Sequence, residues 1–311
     1  MILLTLSLGL LPMLVFAVFT AWLRRYKQIP MSILVVVFLW GMIPAAGGAY
    51  FLNTFFNIGM LQLTGSAVAS ELGKISIIAP VVEELLKGLA VALVYFAARQ
   101  EFDSPLDGLL LGGVAGLGFA AAENTLYIYR NGFIQYGWAG LMSQTILRVI
   151  LAGWMHAYFS AFTGIGFGWA GTSRKPIHQM AWILSGYAMA VLAHAVHNSV
   201  GWLVSGFGGF ILGLTLDWLG YGAMFIYILW LLYQEYKLIK RQLREEVMQG
   251  LISESQYKSA LNPLTLSFAR FSGARSVRFY HILGKLAHQK ERNEDSTILR
   301  REISTLAPHV Q

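Results

Sequence analysis

Long apolar runs separated by short polar segments occupy the first three quarters of the chain. Runs of about 20 apolar residues are long enough to cross a bilayer as helices. The pattern predicts an all-α, polytopic membrane protein with about seven transmembrane helices, at residues 1–23, 31–51, 75–98, 106–129, 141–169, 179–204 and 210–233. Pro44 is expected to bend the second helix. Residues 53–74 are less apolar and are expected to lie at the outer membrane surface.

The first apolar run precedes its positive charges, Arg24, Arg25 and Lys27. A signal peptide has the reverse order, so we expect a retained helix with its N-terminus outside. Seven helices then place most basic segments on one side, which the positive-inside rule assigns to the cytoplasm. These segments are 24–27, Arg99, Arg174–Lys175 and the C-terminal tail, whereas the opposite side has only Lys74 and Arg130 in its loops.

The composition changes after the last apolar run. The sequence predicts a transmembrane domain over residues 1–233 and a helical, basic, cytoplasmic tail over 234–311. The tail contains 13 of the 23 Lys and Arg residues, and a basic segment beside a membrane favours the anionic cytoplasmic leaflet. Acidic residues are interspersed with the basic ones, so we do not expect nucleic-acid binding.

Three helical features are predicted within the tail. The seventh helix continues into it and stops near Gly250. Ser253 and Gln256 have the spacing of a capping box that starts another helix. Residues 276–292 are basic, with four apolar residues at helical spacing, and are predicted to lie on the membrane surface or pack on another chain, unless the tail is simply solvated. These residues are Phe279, Ile282, Leu283 and Leu286.

Ionisable residues interrupt the third apolar run. Glu83 and Glu84 are adjacent, and Lys87 follows one turn later. Each such group near a bilayer centre costs about 2.5–3.5 kcal/mol on insertion scales, so it faces protein or water and marks function by default. In a structural alternative, Glu83 pairs with Lys87 at the i, i+4 spacing. That pairing leaves Glu84 unexplained.

The next three apolar runs contain further polar residues. Helical rise places them, like the glutamate pair, between the outer third and the middle of the membrane. This agreement in depth predicts one shared, hydrated site built by four helices. The residues are Glu123, Asn124 and Tyr127 in the fourth run, His156 in the fifth, and His194, His197 and Asn198 in the sixth.

Carboxylates and imidazoles in one wet pocket suit hydrolysis. A glutamate can take a proton from water, and we expect Glu83 or Glu84 to do so, with Glu83 favoured. Histidine and asparagine side chains can donate to the oxyanion of a tetrahedral intermediate, a role that His194 and Asn198 would fill.

A divalent metal, zinc above all, is the other way to activate water. Two histidines and a glutamate form a familiar zinc set. His156 and His194 would supply two ligands, and Glu123, Glu83 or Glu84 the third. The chain has no cysteine, which excludes thiolate ligands and disulfides, and it has no HExxH motif.

The order of these motifs resembles the PrsW family of intramembrane proteases, which is related to the CAAX prenyl endopeptidases and bacteriocin-processing proteases. The motifs are Glu83-Glu84-x-x-Lys87, then Glu123-Asn124, a lone His156, and His194-x-x-x-Asn198. The resemblance covers residues 75–202. Lys87 stands where the prenyl proteases have an arginine one residue later, so the chain looks closer to PrsW.

The resemblance implies an endopeptidase in a prokaryotic plasma membrane that cleaves a membrane-embedded protein or peptide. The family's Glu pair then corresponds to Glu83 and Glu84, its histidines to His156 and His194, and its Asn to Asn198. His197 is an additional histidine in the last motif. The competing hypotheses are a proton- or cation-coupled transporter, because intramembrane Glu and His chains also relay protons, and a catalytically inactive binding protein.

Overall fold

Helices make up all the regular structure of the residues described by the computed structural model, namely 1–23, 29–99, 102, 104–204, 206–268 and 273–310. The all-α prediction is therefore confirmed. The basic segment 24–27 lies outside the described residues. The α-helices are α1 (Ile2–Leu23), α2 (Met31–Trp40), α3 (Ala46–Thr64), α4 (Ala67–Gly73), α5 (Ala79–Ala97), α6 (Pro105–Tyr127), α7 (Gln135–Thr145), α8 (Met155–Thr172), α9 (Pro176–Leu203), α10 (Gly206–Met248), α11 (Glu254–Leu261), α12 (Pro263–Phe268), α13 (Ala274–Glu291) and α14 (Thr297–Leu306).

Short π-helical segments adjoin several of these helices. Gly41–Ala45, Lys74–Ile78 and Ile128–Ile134 each join two helices without a loop, and Ile146–Leu151 extends α7. The first contains Pro44, the residue expected to bend the second helix, and the wider turn accommodates its missing N–H. The chain then remains helical to Thr64. The helix ends at Gly65, whose φ is +62°. The predicted end near residue 51 is thus wrong. The helix tolerates Gly47, Gly48 and Gly59, and only the left-handed Gly65 ends it.

Five stretches of the described chain are long and apolar enough to cross a membrane. They are Ile2–Leu23, Met31–Thr64, Pro105–Thr172, Pro176–Val200 and Gly206–Met248. The 68-residue stretch Pro105–Thr172 contains both α6 and α8. α5 is absent from the five, and it contains Glu83, Glu84 and Lys87. The number seven therefore stays a prediction.

The predicted fifth helix, residues 141–169, is wrong as a single helix. The π-helical segment Ile146–Leu151 ends inside this range, and α8 begins only at Met155. Gly153 lies at the break, where a Cβ would overlap the carbonyl oxygen of Val149 and lie 2.9 Å from the Phe16 ring. His156 is consequently in the first turn of α8 instead of deep inside a long helix.

α6 is buried along most of its length, since residues 105–121 are all buried. It runs antiparallel to α8 at close backbone distance. A Cβ on Gly108 would overlap the carbonyl oxygen of Gly164, and one on Gly116 would overlap that of His156. Glycine at these positions lets the two helices approach closely, as small residues do in membrane helix packing.

The chain folds into two compact units. The first comprises Met1–Thr20 with Pro30–Phe225, and the second Ala21–Ile29 with Ile226–Gln311. The helix that enters the second unit continues to Met248, and Gly250 has a φ of +73°, so the predicted helix end near Gly250 is confirmed. The capping box of Ser253 and Gln256 is also confirmed.

α13 packs inside the second unit. The predictions of a membrane-bound, partner-bound or solvated face are wrong, because its four apolar residues are 0–4% exposed in a core shared with Ile239, Leu243 and Ile303. Glu246, fully buried, accepts hydrogen bonds from Lys290 at 2.6 Å and Arg300 at 2.7 Å. The tail therefore has a hydrophobic core and ion pairs of its own.

Two adjacent glycines of α6 test the close packing of α6 on α8. A Cβ at Gly112 would overlap the Ser160 carbonyl oxygen, whereas one at Gly113 meets nothing nearer than 3.8 Å. We expect Gly112→Ala to lower the free energy of unfolding in detergent micelles by about 1–3 kcal/mol, the usual cost of overpacking. Gly113→Ala is the matched control. Equal stability of the two variants would contradict this packing.

Candidate functional site

The glutamate pair and the lysine of α5 are buried together. The exposed fractions are 6% for Glu83 and 0% for both Glu84 and Lys87. The lysine Nζ lies 2.6 Å from Oε1 of Glu84 but 3.9 Å from Oε2 of Glu83. The structural alternative paired Glu83 with Lys87, but the carboxylate closest to Lys87 is that of Glu84, and Glu83 makes only the longer contact.

Three side chains from neighbouring helices hold α5 by its backbone carbonyls. Trp40 donates to Leu86 at 3.0 Å and Tyr187 to Val81 at 2.8 Å. The Nδ2 of Asn198 donates to the carbonyl of Ile75 at 2.9 Å, within the π-helical segment that precedes α5. In this structure Asn198 thus supports the helix that positions the glutamates.

Glu84 fixes the orientation of His194. Its carboxylate accepts hydrogen bonds from Lys87 Nζ, from Ser160 Oγ at 2.8 Å and from His194 Nδ1 at 3.0 Å. The His194 ring also stacks on Phe159, with ring centroids 4.7 Å apart. Because Nδ1 donates its proton to Glu84, the lone pair of the other ring nitrogen, Nε2, remains available.

His156 is held at both ring nitrogens. An ammonium can only donate, so Nδ1 of His156 accepts from Lys87 Nζ at 3.1 Å. The proton then lies on Nε2, which donates to Oε2 of Glu123 at 2.7 Å. The Lys87 ammonium also lies 4.3 Å above the Phe119 ring. Lys87 therefore connects the Glu84–His194 pair to the His156–Glu123 pair.

One carboxylate oxygen of Glu83 accepts a hydrogen bond, and the other accepts none from the described residues. Asn53 Nδ2 donates to Oε1 at 3.2 Å. The other oxygen, Oε2, is buried and has no hydrogen-bond partner among the described residues. It lies 3.9 Å from Nε2 of His194. An unpaired buried carboxylate oxygen is costly, so this position calls for a cation, a proton donor or water.

Glu83, His156 and His194 form a group that suits a metal ion. Each offers one ligand atom, and the three atoms lie within 4.8 Å of one another. The free oxygen of Glu83 and the free Nε2 of His194 face each other, and a carboxylate with two imidazoles is a donor set that zinc accepts. The sequence analysis left Glu123, Glu83 or Glu84 as the carboxylate ligand, and of these three it is Glu83 that lies in this group.

Glu123, Asn124 and Tyr127 share a partner that the sequence reasoning missed. Arg148, on the π-helical segment before α8, hydrogen-bonds Glu123 Oε2 and donates from Nε to Asn124 Oδ1 at 3.1 Å. Its guanidinium carbon lies 3.9 Å above the Tyr127 ring. Arg148 is the only Asp, Glu, Lys or Arg in residues 141–169. An ionisable residue inside an apolar run marks function by default, and this argument, used for Glu83, applied equally to Arg148.

His197 lies outside the metal-suited group. Its Nδ1 contacts Asp217 of α10 at 2.9 Å, and its ring contacts Phe159 at a centroid distance of 5.7 Å. Asp217 is a charged residue in an apolar run and had the same sequence signal as Arg148. Ser160 and Asn53 are uncharged, and nothing in the sequence distinguished them.

Comparison with known proteins identifies a family. Residues 29–232 match the family model described as PrsW family intramembrane metalloprotease. The Protease PrsW of Geobacillus kaustophilus is 28% identical over 183 residues, which cover 58% of this chain and 70% of that protein. The Protease PrsW of Shouchella clausii is 31% identical over 150 residues, which cover 48% of this chain and 60% of that protein. No solved structure is significantly similar.

The apolar helices and the buried carboxylate–histidine site define the chain as an integral membrane protein with a polar centre inside its helical bundle. The family match extends over about two thirds of the chain, from α2 into α10. The chain belongs to the PrsW family of intramembrane metalloproteases.

Removal of Lys87 tests the buried ion pair. Lys87→Met leaves the Glu84 carboxylate buried without its cation, which typically costs about 3–5 kcal/mol of stability. We expect a loss of that size in denaturant titrations in micelles, and partial recovery in Glu84→Gln/Lys87→Met.

The control is Lys74→Met. Lys74 pairs with Glu71 at 2.8 Å, but both side chains are more than a quarter exposed, so the loss should stay below about 1 kcal/mol. Equal losses for Lys87→Met and Lys74→Met would contradict the buried pair.

Proposed function

We propose that this protein is an intramembrane endopeptidase that cleaves a membrane-embedded protein or peptide with the help of a divalent metal ion. The observation that supports this proposal best is the free, buried Oε2 of Glu83 opposite the free Nε2 of His194, with His156 beside them. These three residues would hold the ion. The matched stretch covers less than two thirds of several relatives, so activity and substrate are proposals here.

A charge count within the site supports a cation. The carboxylates are Glu83, Glu84 and Glu123, and the fixed cations are Lys87 and Arg148. With all three carboxylates ionised, three negative charges against two positive charges leave one negative charge. Of the three, Glu83 lies farthest from a described cation, with 3.9 Å between its Oε2 and Lys87 Nζ. Burial makes an uncompensated charge expensive. A bound cation removes that cost, and zinc fits the nitrogen and oxygen donors.

When bound, such an ion lowers the pKa of its water and polarises the peptide carbonyl. The protein's own residues orient the ligands. Glu84 accepts from the Nδ1–H of His194, and Glu123 accepts from the Nε2–H of His156. Carboxylates commonly orient metal-binding histidines in this way, without binding the metal themselves. Nδ1 of His156 already accepts from Lys87, so this ring would hold an ion through Nδ1 in place of that bond while Nε2–H stays on Glu123.

The free oxygen of Glu83 has a second use in a mechanism without a metal. There Oε2 would take a proton from the attacking water, the role that the sequence analysis favours for Glu83. Oxyanion stabilisation by Asn198 also stays a prediction. Its Nδ2 carries two N–H groups, so the second would be the donor while the first remains on the Ile75 carbonyl. A transporter is not favoured, because the chain belongs to a protease family.

The membrane arrangement is part of the same proposal. The N-terminus would face outside, and residues 234–311 would form a cytoplasmic tail behind a protease domain of residues 1–233. The distribution of Lys and Arg supports this orientation. The partners are the lipid bilayer and a membrane-embedded substrate, with no nucleic acid.

Glu83→Gln separates the two roles of Glu83. The variant should abolish cleavage of a membrane-embedded substrate in either case. If Glu83 is a ligand, as we propose, the zinc content of the purified protein should fall together with activity. If Glu83 is only the base, zinc should remain. Elemental analysis and a proteoliposome cleavage assay, with and without chelator, measure both quantities.

Glu71→Gln is the matched control, because Glu71 is a glutamate on α4 with a side chain 40% exposed, and it should change neither quantity. His194→Ala should lose both cleavage activity and zinc content, as Glu83→Gln does. Full cleavage by both folded variants would contradict the proposed function.

A further inference from the structure

Arg148 is a cation inside an apolar stretch, and the proposed roles of the glutamates and histidines leave it without a function. It lies on the π-helical segment Ile146–Leu151, and its side chain is 18% exposed. A guanidinium at such a position is costly unless it is paired and hydrogen-bonded. Its contacts therefore indicate what it does.

All of these contacts fall on one end of α6. The guanidinium bonds the carboxylate of Glu123, its Nε donates to Asn124, and its central carbon lies over the Tyr127 ring. A planar guanidinium can combine an ion pair, a second hydrogen bond and an aromatic contact, which an ammonium on a flexible stem does not reproduce. The side chain is consequently fixed at three points.

Glu123 connects Arg148 to the metal-suited group. The same atom, Oε2, binds Arg148 and accepts from Nε2 of His156 at 2.7 Å. Arg148 precedes the helix break at residues 152–154, and His156 follows it. One carboxylate oxygen thus links the two sides of the break, and the direction of the His156 ring depends on where Glu123 is held.

We infer that Arg148 is a positioning residue for the proposed hydrolysis, acting through Glu123 to fix the ring direction and proton position of His156. Its charge keeps Glu123 available as the acceptor for His156 Nε2–H. Its contacts with Asn124 and Tyr127 prevent the carboxylate from rotating away. The inference rests on the proposed function, because its effect is exerted on a proposed metal ligand.

Arg148→Met tests this inference with two readouts, cleavage rate and zinc affinity measured by titration calorimetry. Loss of an outer partner of a metal ligand typically costs 10–100-fold in affinity or activity. We expect both readouts to fall by about 10–100-fold in a folded variant. Arg148→Lys restores a charge beside Glu123 but not the contacts with Asn124 and Tyr127, so it should recover part of both losses.

A double-mutant cycle separates positioning from a purely structural tie. Once Glu123→Gln has removed the carboxylate, adding Arg148→Met should lower zinc affinity by less than threefold, because coupled residues are not additive. An equal loss in both backgrounds would overturn the inference, as would identical behaviour of Arg148→Lys and Arg148→Met. Arg130→Met, at an exposed arginine in the π-helical segment after α6, is the matched control and should change neither readout.

The outcomes also distinguish this inference from the proposed function. A wild-type protein that neither cleaves nor binds zinc would contradict the proposed function itself. A wild-type protein that does both, together with an inactive Glu83→Gln and an unchanged Arg148→Met, would overturn only the role of Arg148.

Discussion

The buried ammonium of Lys87 is the interaction on which the rest of the site depends. It bonds Glu84 at 2.6 Å and His156 at 3.1 Å, and it lies over the Phe119 ring. Through Glu84 it reaches His194, and through His156 it reaches Glu123. Removing one partner of a buried ion pair is strongly destabilising, so the Lys87–Glu84 pair aligns these helices. Oε2 of Glu83 is left without a hydrogen-bond partner among the described residues.

Close helix packing makes this network geometrically possible. Glycines let the α6 backbone approach α8 directly, which brings Glu123 of α6 to His156 of α8. The break at residues 152–154 places His156 in the first turn of α8, beside the end of the segment that holds Arg148. Hydrogen bonds to the carbonyls of Ile75, Val81 and Leu86 fix α5 against these helices. Backbone and side-chain constraints therefore converge on one polar centre.

Much of this centre could be predicted because charges inside apolar runs are conspicuous. Glu83, Glu84 and Lys87 interrupt an apolar helix, and the histidines lie at compatible depth. The choice of partners could not be predicted, since Glu83 and Glu84 are neighbours and only the tertiary structure decides which one faces Lys87. The helix break at Gly153 was missed because a single glycine inside a helical pattern does not by itself predict a break. The buried face of α13 was misassigned because sequence spacing reveals an apolar face but not what covers it.

X-ray absorption spectroscopy at the zinc edge, on the purified protein loaded with one equivalent of zinc, tests the central claim most directly. A centre built from Glu83, His156 and His194 predicts a first shell of nitrogen and oxygen atoms with the outer scattering pattern of two imidazole rings. A shell of oxygen atoms without imidazole scattering, or protein that retains no zinc, would contradict the account.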